Sequence, residues 1–107
     1  MVIIILESWF PHGKSEAVGK KFIEVVKKNP PDRTISKEVL IAIDATEKGM
    51  HTIGAYEVKD GKEKEALLRL HQAALMYGDI EGYTYSLKTY LSAVEAMPLI
   101  GLKAPES

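Results

Sequence analysis

The chain contains no cysteine, which removes disulfides, thiolate nucleophiles and thiolate metal sites in one step. A metal would have to be held by carboxylates and by three histidines, none of which stand at the i, i+4 spacing of a helical metal pair. No glycine-rich phosphate loop follows a strand, so no bound metal, haem or nucleotide cofactor is expected. Side-chain amides are nearly as scarce, with only Asn29 and Gln72. Lysine and glutamate fill the polar positions instead, as in proteins from hot environments. Neither sign of charge is in excess: 14 basic and 15 acidic residues give a net charge of −1, and the two signs are interspersed. A nucleic-acid partner, which requires a concentrated basic surface, is not expected. Long apolar runs are missing too. The opening stretch from Val2 to Leu6 meets Glu7 and has no basic segment before it, so it reads as a buried strand rather than a signal peptide. A cytoplasmic location without membrane contact is expected.

What is present is a single small domain. The 107 residues are 46% apolar with a mean hydropathy of −0.08, which suits one globular unit over residues 1–107. A domain of this size buries only roughly 60 to 70% of the surface its unfolded chain exposes, so a partner subunit would add appreciably to its stability.

The hydrophobic patterns fall in the order strand, helix, strand, strand, helix, strand. Residues 2–10 form a β-branched run ended by Pro11-His12-Gly13. Ser15 is a natural N-cap for a helix to about Asn29, with Val18, Phe22, Val25 and Val26 on one stripe, and Pro30-Pro31 stops it. Residues 38–46 and 50–58 read as strands joined by Glu47-Lys48-Gly49. A three-residue turn closed by left-handed Gly49 is preferred there. It would place Val39, Ile41, Ile43, Ile53 and Ala55 on one face, and Leu40, Ala42, Asp44, Thr52 and Tyr56 on the other. A two-residue turn would shift the register by one and swap the faces of one strand. Asp60-Gly61 leads into a helix over residues 62–77, with Leu67, Leu70, His71, Ala74 and Leu75 on or beside the buried stripe and Gly78 as its stop. Residues 83–91 alternate as a last strand. Residues 92–107 form a C-terminal arm beyond a core of residues 2–91, and Pro98 interrupts regular structure within it.

The βαββαβ order is ferredoxin-like: an α+β sandwich with a four-stranded antiparallel sheet and two helices on one face. With both sheet faces largely apolar, the chain resembles the dimeric α+β barrel superfamily, in which two subunits face their sheets toward each other. The run Leu6-Glu7-Ser8-Trp9-Phe10-Pro11, followed by a helix carrying Phe22, is similar to small families of this group without an assigned activity. The resemblance implies a homodimer or higher homo-oligomer, and admits functions ranging from monooxygenases and isomerases to sensing domains. Haem-degrading members use a helix histidine as iron ligand, which would point to His71. They also require an Asn on the first strand, where this chain has Glu7 and Ser8.

In the 4-1-3-2 strand order, Trp9, His12, Asp44 and His51 converge at one end of the sheet. An imidazole beside a carboxylate is raw material for acid/base chemistry, and Asp44, His51 and His71 are the candidate catalytic residues. A solvent-exposed histidine beside a hairpin is the plainer alternative for His51, and a hydrogen-bonded core histidine for His71. Glu7 is expected opposite Lys88 as a cross-strand ion pair. Trp9, Asp44, Tyr56 and His71 are the candidate ligand-binding residues, with Tyr83, Tyr85 and Tyr90 as further sources of hydroxyls. His71 is expected to be buried against the sheet, and His12 exposed.

Three functions from different classes fit this pattern. One is binding or sensing of a small apolar or aromatic molecule in the cleft between helices and sheet. A second is a cofactor-independent monooxygenase or isomerase with Asp44 or a histidine as base. The third is an interaction module without ligand. All three share a homodimer built on sheet faces. Strand one carries Val2, Ile4 and Leu6 on one side and Ile3, Ile5 and Trp9 on the other, and helices can cover only one of them.

Overall fold

The computed structural model describes residues 1–105. The strands are β1 (Val2–Phe10), β2 (Ser36–Thr46), β3 (Gly49–Val58) and β4 (Thr84–Leu91). They form one antiparallel sheet in the order β2-β3-β1-β4. Two helices, α1 (Ser15–Lys28) and α2 (Glu63–Leu75), complete the ferredoxin-like sandwich. A four-residue helix α3 (Ala93–Ala96) and a 3-10 turn (Met97–Ile100) follow β4. Ser92 caps α3 by accepting from the Glu95 amide, and Glu95 also pairs with the chain's amino terminus.

Strand alternation sets the two faces of the sheet. Val2, Ile4, Leu6, Ser8 and Phe10 point toward the helices, and Ile3, Ile5, Glu7 and Trp9 point away. Ile4 and Val58 are fully buried and pack with Ala66 of α2, supported by Val2, Ile35, Leu67, Leu70 and Leu87. A second cluster joins Val25 of α1 to Tyr77 and Ile80 in the loop after α2. Lys21 reinforces that contact by donating to Asp79 at 3.0 Å. Just past the C-terminus of α1, the Asn29 side-chain amide donates to the Arg69 carbonyl at 3.2 Å. Helix α1 is therefore fastened to α2 and its loop along its C-terminal half. Its sheet-facing side overhangs the sheet: Phe22 is 46% exposed, and Ile43 on the strand beneath is 62% exposed.

The structure differs from the sequence expectations in five places. The hairpin pairs Thr46 with Gly49, so only Glu47 and Lys48 connect the strands. Ile41 and Ile43 consequently share the helix-side face with Thr52, Gly54 and Tyr56, while Leu40, Ala42 and Asp44 lie beside His51, Ile53 and Ala55 on the bare face. Gly49 is already a strand residue, at φ 144°, and a Cβ there would stand 2.7 Å from the Phe10 carbonyl oxygen. That positive φ and the close approach of β1 both require glycine, although the residue lies in the strand and not in the turn. Ser15 is the first helical residue and donates to the His12 carbonyl at 2.8 Å, so Lys14 occupies the cap position. Helix α2 ends at Leu75, with 65% of that residue exposed. Its buried stripe runs through Ala66, Leu70, Ala73 and Ala74, a phase that leaves His71 exposed. Finally, Glu7 stands opposite Ser86, and Lys88 stands opposite Ile5, which removes the expected Glu7–Lys88 pair.

Candidate functional site

Because α1 is held away from β2 and β3, a cleft of about 430 Å³ opens between helices and sheet. That size is ordinary for a small-molecule site. Its walls are apolar: Leu6 and Phe10 from β1, Val18, Phe22 and Val26 from α1, Ile41 and Ile43 from β2, Leu70 and Ala73 from α2. Short and aromatic hydroxyls interrupt them. Ser8, the polar residue between Leu6 and Phe10 on the inner face of β1, is hydrogen-bonded to Thr52 on β3. Tyr83 stacks on Tyr77, with centroids 4.7 Å apart and 10° between planes, and on Phe10 at 6.2 Å.

Two glycines make this arrangement possible. Tyr56 lies along β3 over Gly54, where a Cβ would come within 3.1 Å of the phenolic oxygen. Gly82, at φ 83°, brings the turn before Tyr83 so close to Pro11 that a Cβ would be 2.7 Å from the ring. The three phenols stay neutral well above physiological pH. Burial pushes Tyr56 up to about 12, aided by the Glu38 carboxylate and by Tyr83. Burial likewise raises Tyr77. It also raises Tyr83, against the opposing effect of a hydrogen bond with Ser8. At neutral pH the cleft thus offers uncharged donors in an apolar surround.

Of the residues anticipated from sequence, Tyr56 lines this cleft. Trp9, Asp44 and His51 are brought together elsewhere, on the bare face of the sheet. His51 stands between Trp9 and Asp44 as their cross-strand neighbour on either side. Its ring stacks on Trp9 at 5.2 Å with planes 2° apart, and its Nε2 pairs with Glu7 Oε2 at 2.8 Å. A carboxylate that orients an imidazole is an acid/base dyad in form. His12 is exposed and its Nε2–H donates to the Thr46 carbonyl at 2.6 Å, which fixes the tautomer. His71, expected within the core, is exposed on α2 and meets the Tyr85 hydroxyl at 3.0 Å outside the cleft lining. Among the described residues no group of three or more histidines and carboxylates is placed to hold a metal ion.

Sequence reasoning missed Ser8, Thr52 and Tyr77 in the cleft. Ser8 carried a usable signal, as a lone small polar residue on the inward alternation of an apolar strand. Thr52 and Tyr77 did not, since each depended on a register or a helix end that the structure corrected.

No protein-family model and no curated protein matches the chain. Two solved structures share its fold. A crystal structure of "a putative antibiotic biosynthesis monooxygenase" from Deinococcus radiodurans superposes with a TM-score of 0.58 at 12% identity, covering 87% of this chain and 93% of that one. The de novo designed protein Foldit4 superposes with a TM-score of 0.53 at 10% identity, covering 85% and 97%. The architecture is thus the ferredoxin-like α+β fold. Among the described residues no helix is long and apolar enough to cross a membrane.

Proposed function

We propose that this chain is a small-molecule binding protein that works as a homodimer, taking an apolar or aromatic molecule into the cleft between α1 and the sheet. The observation that carries this is the cleft itself, apolar over most of its wall and punctuated by the neutral phenols of Tyr56, Tyr77 and Tyr83. A packed core would not leave Phe22, Val26, Ile41 and Ile43 partly in water around a space of this size. Gly19 provides the test. It lines the cleft, and a Cβ there would meet nothing within 4 Å, so Gly19→Phe is the substitution expected to fill the empty volume. Binding of an apolar fluorescent probe should fall at least tenfold in this variant while the melting temperature holds or rises. Unchanged probe affinity would place the binding elsewhere.

The homodimer reading rests on the bare sheet face. Ile3, Ile5, Leu40, Ile53 and Trp9 share that face, and Trp9 and Leu40 are 40% and 48% exposed. Covering such a face contributes about 25 cal/mol per Å² of apolar surface removed from water. A second copy would place the Glu7–His51 dyad inside the interface. Ile5→Glu should convert the dimer to monomer, or unfold it, in sedimentation equilibrium at micromolar concentration. A wild-type chain that sediments as a monomer would reject the dimer.

An enzymatic reading, a cofactor-independent monooxygenase or isomerase, draws support from the fold neighbour's name and from the Glu7–His51 pair. That dyad lies across the sheet from the cleft, and so do Trp9 and Asp44. The binding function therefore has the stronger geometric support.

A further inference from the structure

We propose that the cleft selects amphipathic amines, with the apolar tail between α1 and the sheet and the ammonium group paired with Glu38 at the mouth. The inference rests on the cleft being a binding site, and adds the charge of its ligand.

The charged groups of the lining are Asp32, Glu38 and Arg69. Two of them are already committed. Asp32 accepts from the Thr34 amide at 3.0 Å and from the Thr34 hydroxyl at 2.5 Å. These bonds, with Arg69 and Lys62 nearby, hold its carboxyl below the usual range. Arg69 donates to the Pro30 carbonyl at 2.5 Å, which closes the loop after α1. Glu38 differs from both. It sits on the helix-side face of β2 directly opposite Tyr56, is exposed, and among the described residues makes no ion pair or side-chain hydrogen bond.

An uncompensated carboxylate at the rim of an apolar cleft sets the sign of the ligand. A fatty acid would bring a second negative charge beside Glu38, while the charge of Arg69 is already offset by the nearby Asp32 carboxylate. A neutral molecule would leave Glu38 indifferent. An alkyl- or arylammonium gains the ion pair and can lie against the face of Tyr56, whose phenol remains neutral and adds no repulsion or attraction of its own charge. Water still reaches Glu38, so the preference should be a few-fold rather than orders of magnitude.

The test uses the full chain and three probes with the same octyl tail that differ only in their head group: n-octylamine, n-octanol and n-nonanoate, each displacing an apolar fluorophore at neutral pH and low salt. Octylamine should bind about threefold to fivefold more tightly than octanol, and nonanoate more weakly than octanol, with the spread narrowing as salt is added. In Glu38→Gln the amine should lose its advantage while octanol affinity stays the same. Octanol binding as tightly as octylamine, or a preference that persists in Glu38→Gln, would overturn the amine selectivity and leave the cleft intact as an apolar site. Failure of all three to displace the fluorophore would overturn the cleft as a ligand site as well.

Discussion

The two ends of the helix layer treat the same sheet differently. Over β1, helix α2 comes down on small residues: Ala66 meets Ile4 and Val58, and all three are almost wholly buried. Over β2 and β3, helix α1 presents Phe22 and Val26 to Ile41 and Ile43, yet each of the four is more than a third exposed. The side chains at the open end are the larger ones, so poor apolar content does not explain the gap. Attachment does. Helix α1 is fixed through Lys21, Val25 and Asn29 to α2 and its loop, and those anchors leave its Phe22 and Val26 side standing above the sheet. Stability comes from one end of the layer, and the space for a ligand from the other.

Substitutions at the two ends should separate these roles. Ile4→Ala removes three carbons from a site with no exposed surface and should cost about 2 to 5 kcal/mol in denaturant unfolding. Ile43→Ser, on the cleft rim, should cost about 0.5 kcal/mol or less in the ligand-free protein, while weakening probe binding severalfold. If Ile43→Ser proves as destabilising as Ile4→Ala, the cleft is closed in solution and the contrast between the two ends disappears.

Much of the sealed end was legible in the sequence, and much of the open end was not. The element order, the inward side of β1 and the convergence of Trp9, His12, Asp44 and His51 follow from alternation and strand order, which local patterns encode well. The faces of β2 and β3 depended on whether Gly49 closes the turn or already belongs to the strand. That is decided by the Phe10 carbonyl 2.7 Å from its missing Cβ, a contact between residues far apart in sequence. His71 was misplaced for a similar reason. Its neighbours Leu67 and Leu70 suggest a stripe through it, but α2 is most deeply buried along Ala66 and Ala74, a line that leaves residue 71 outside. Glu38 gave no signal at all, because a single carboxylate in a strand acquires meaning only once an apolar cleft is known to border it.

The last expected effect concerns protons. A phenol that ionises near pH 10 in the unfolded chain and near 12 in the folded one is protonated in both states below pH 10, where its contribution to stability is complete. Between these values the unfolded chain releases a proton that the folded chain keeps, so stability falls as pH rises through that window. Tyr56 should behave in this way, and Tyr77 and Tyr83 shift in the same direction. The sealed end has no such group, since Ile4, Val58 and Ala66 do not titrate. Outside the cleft, Lys21 shifts in the same direction through its bond with Asp79, so Tyr56 is isolated by its own variant. Tyr56→Phe should flatten the fall in the urea midpoint above pH 10 and remove one late-appearing tyrosinate from the near-ultraviolet titration. If the variant loses stability along the same alkaline curve as the wild type, Tyr56 ionises as a solvated phenol, and the cleft is wetter and more open than its walls imply.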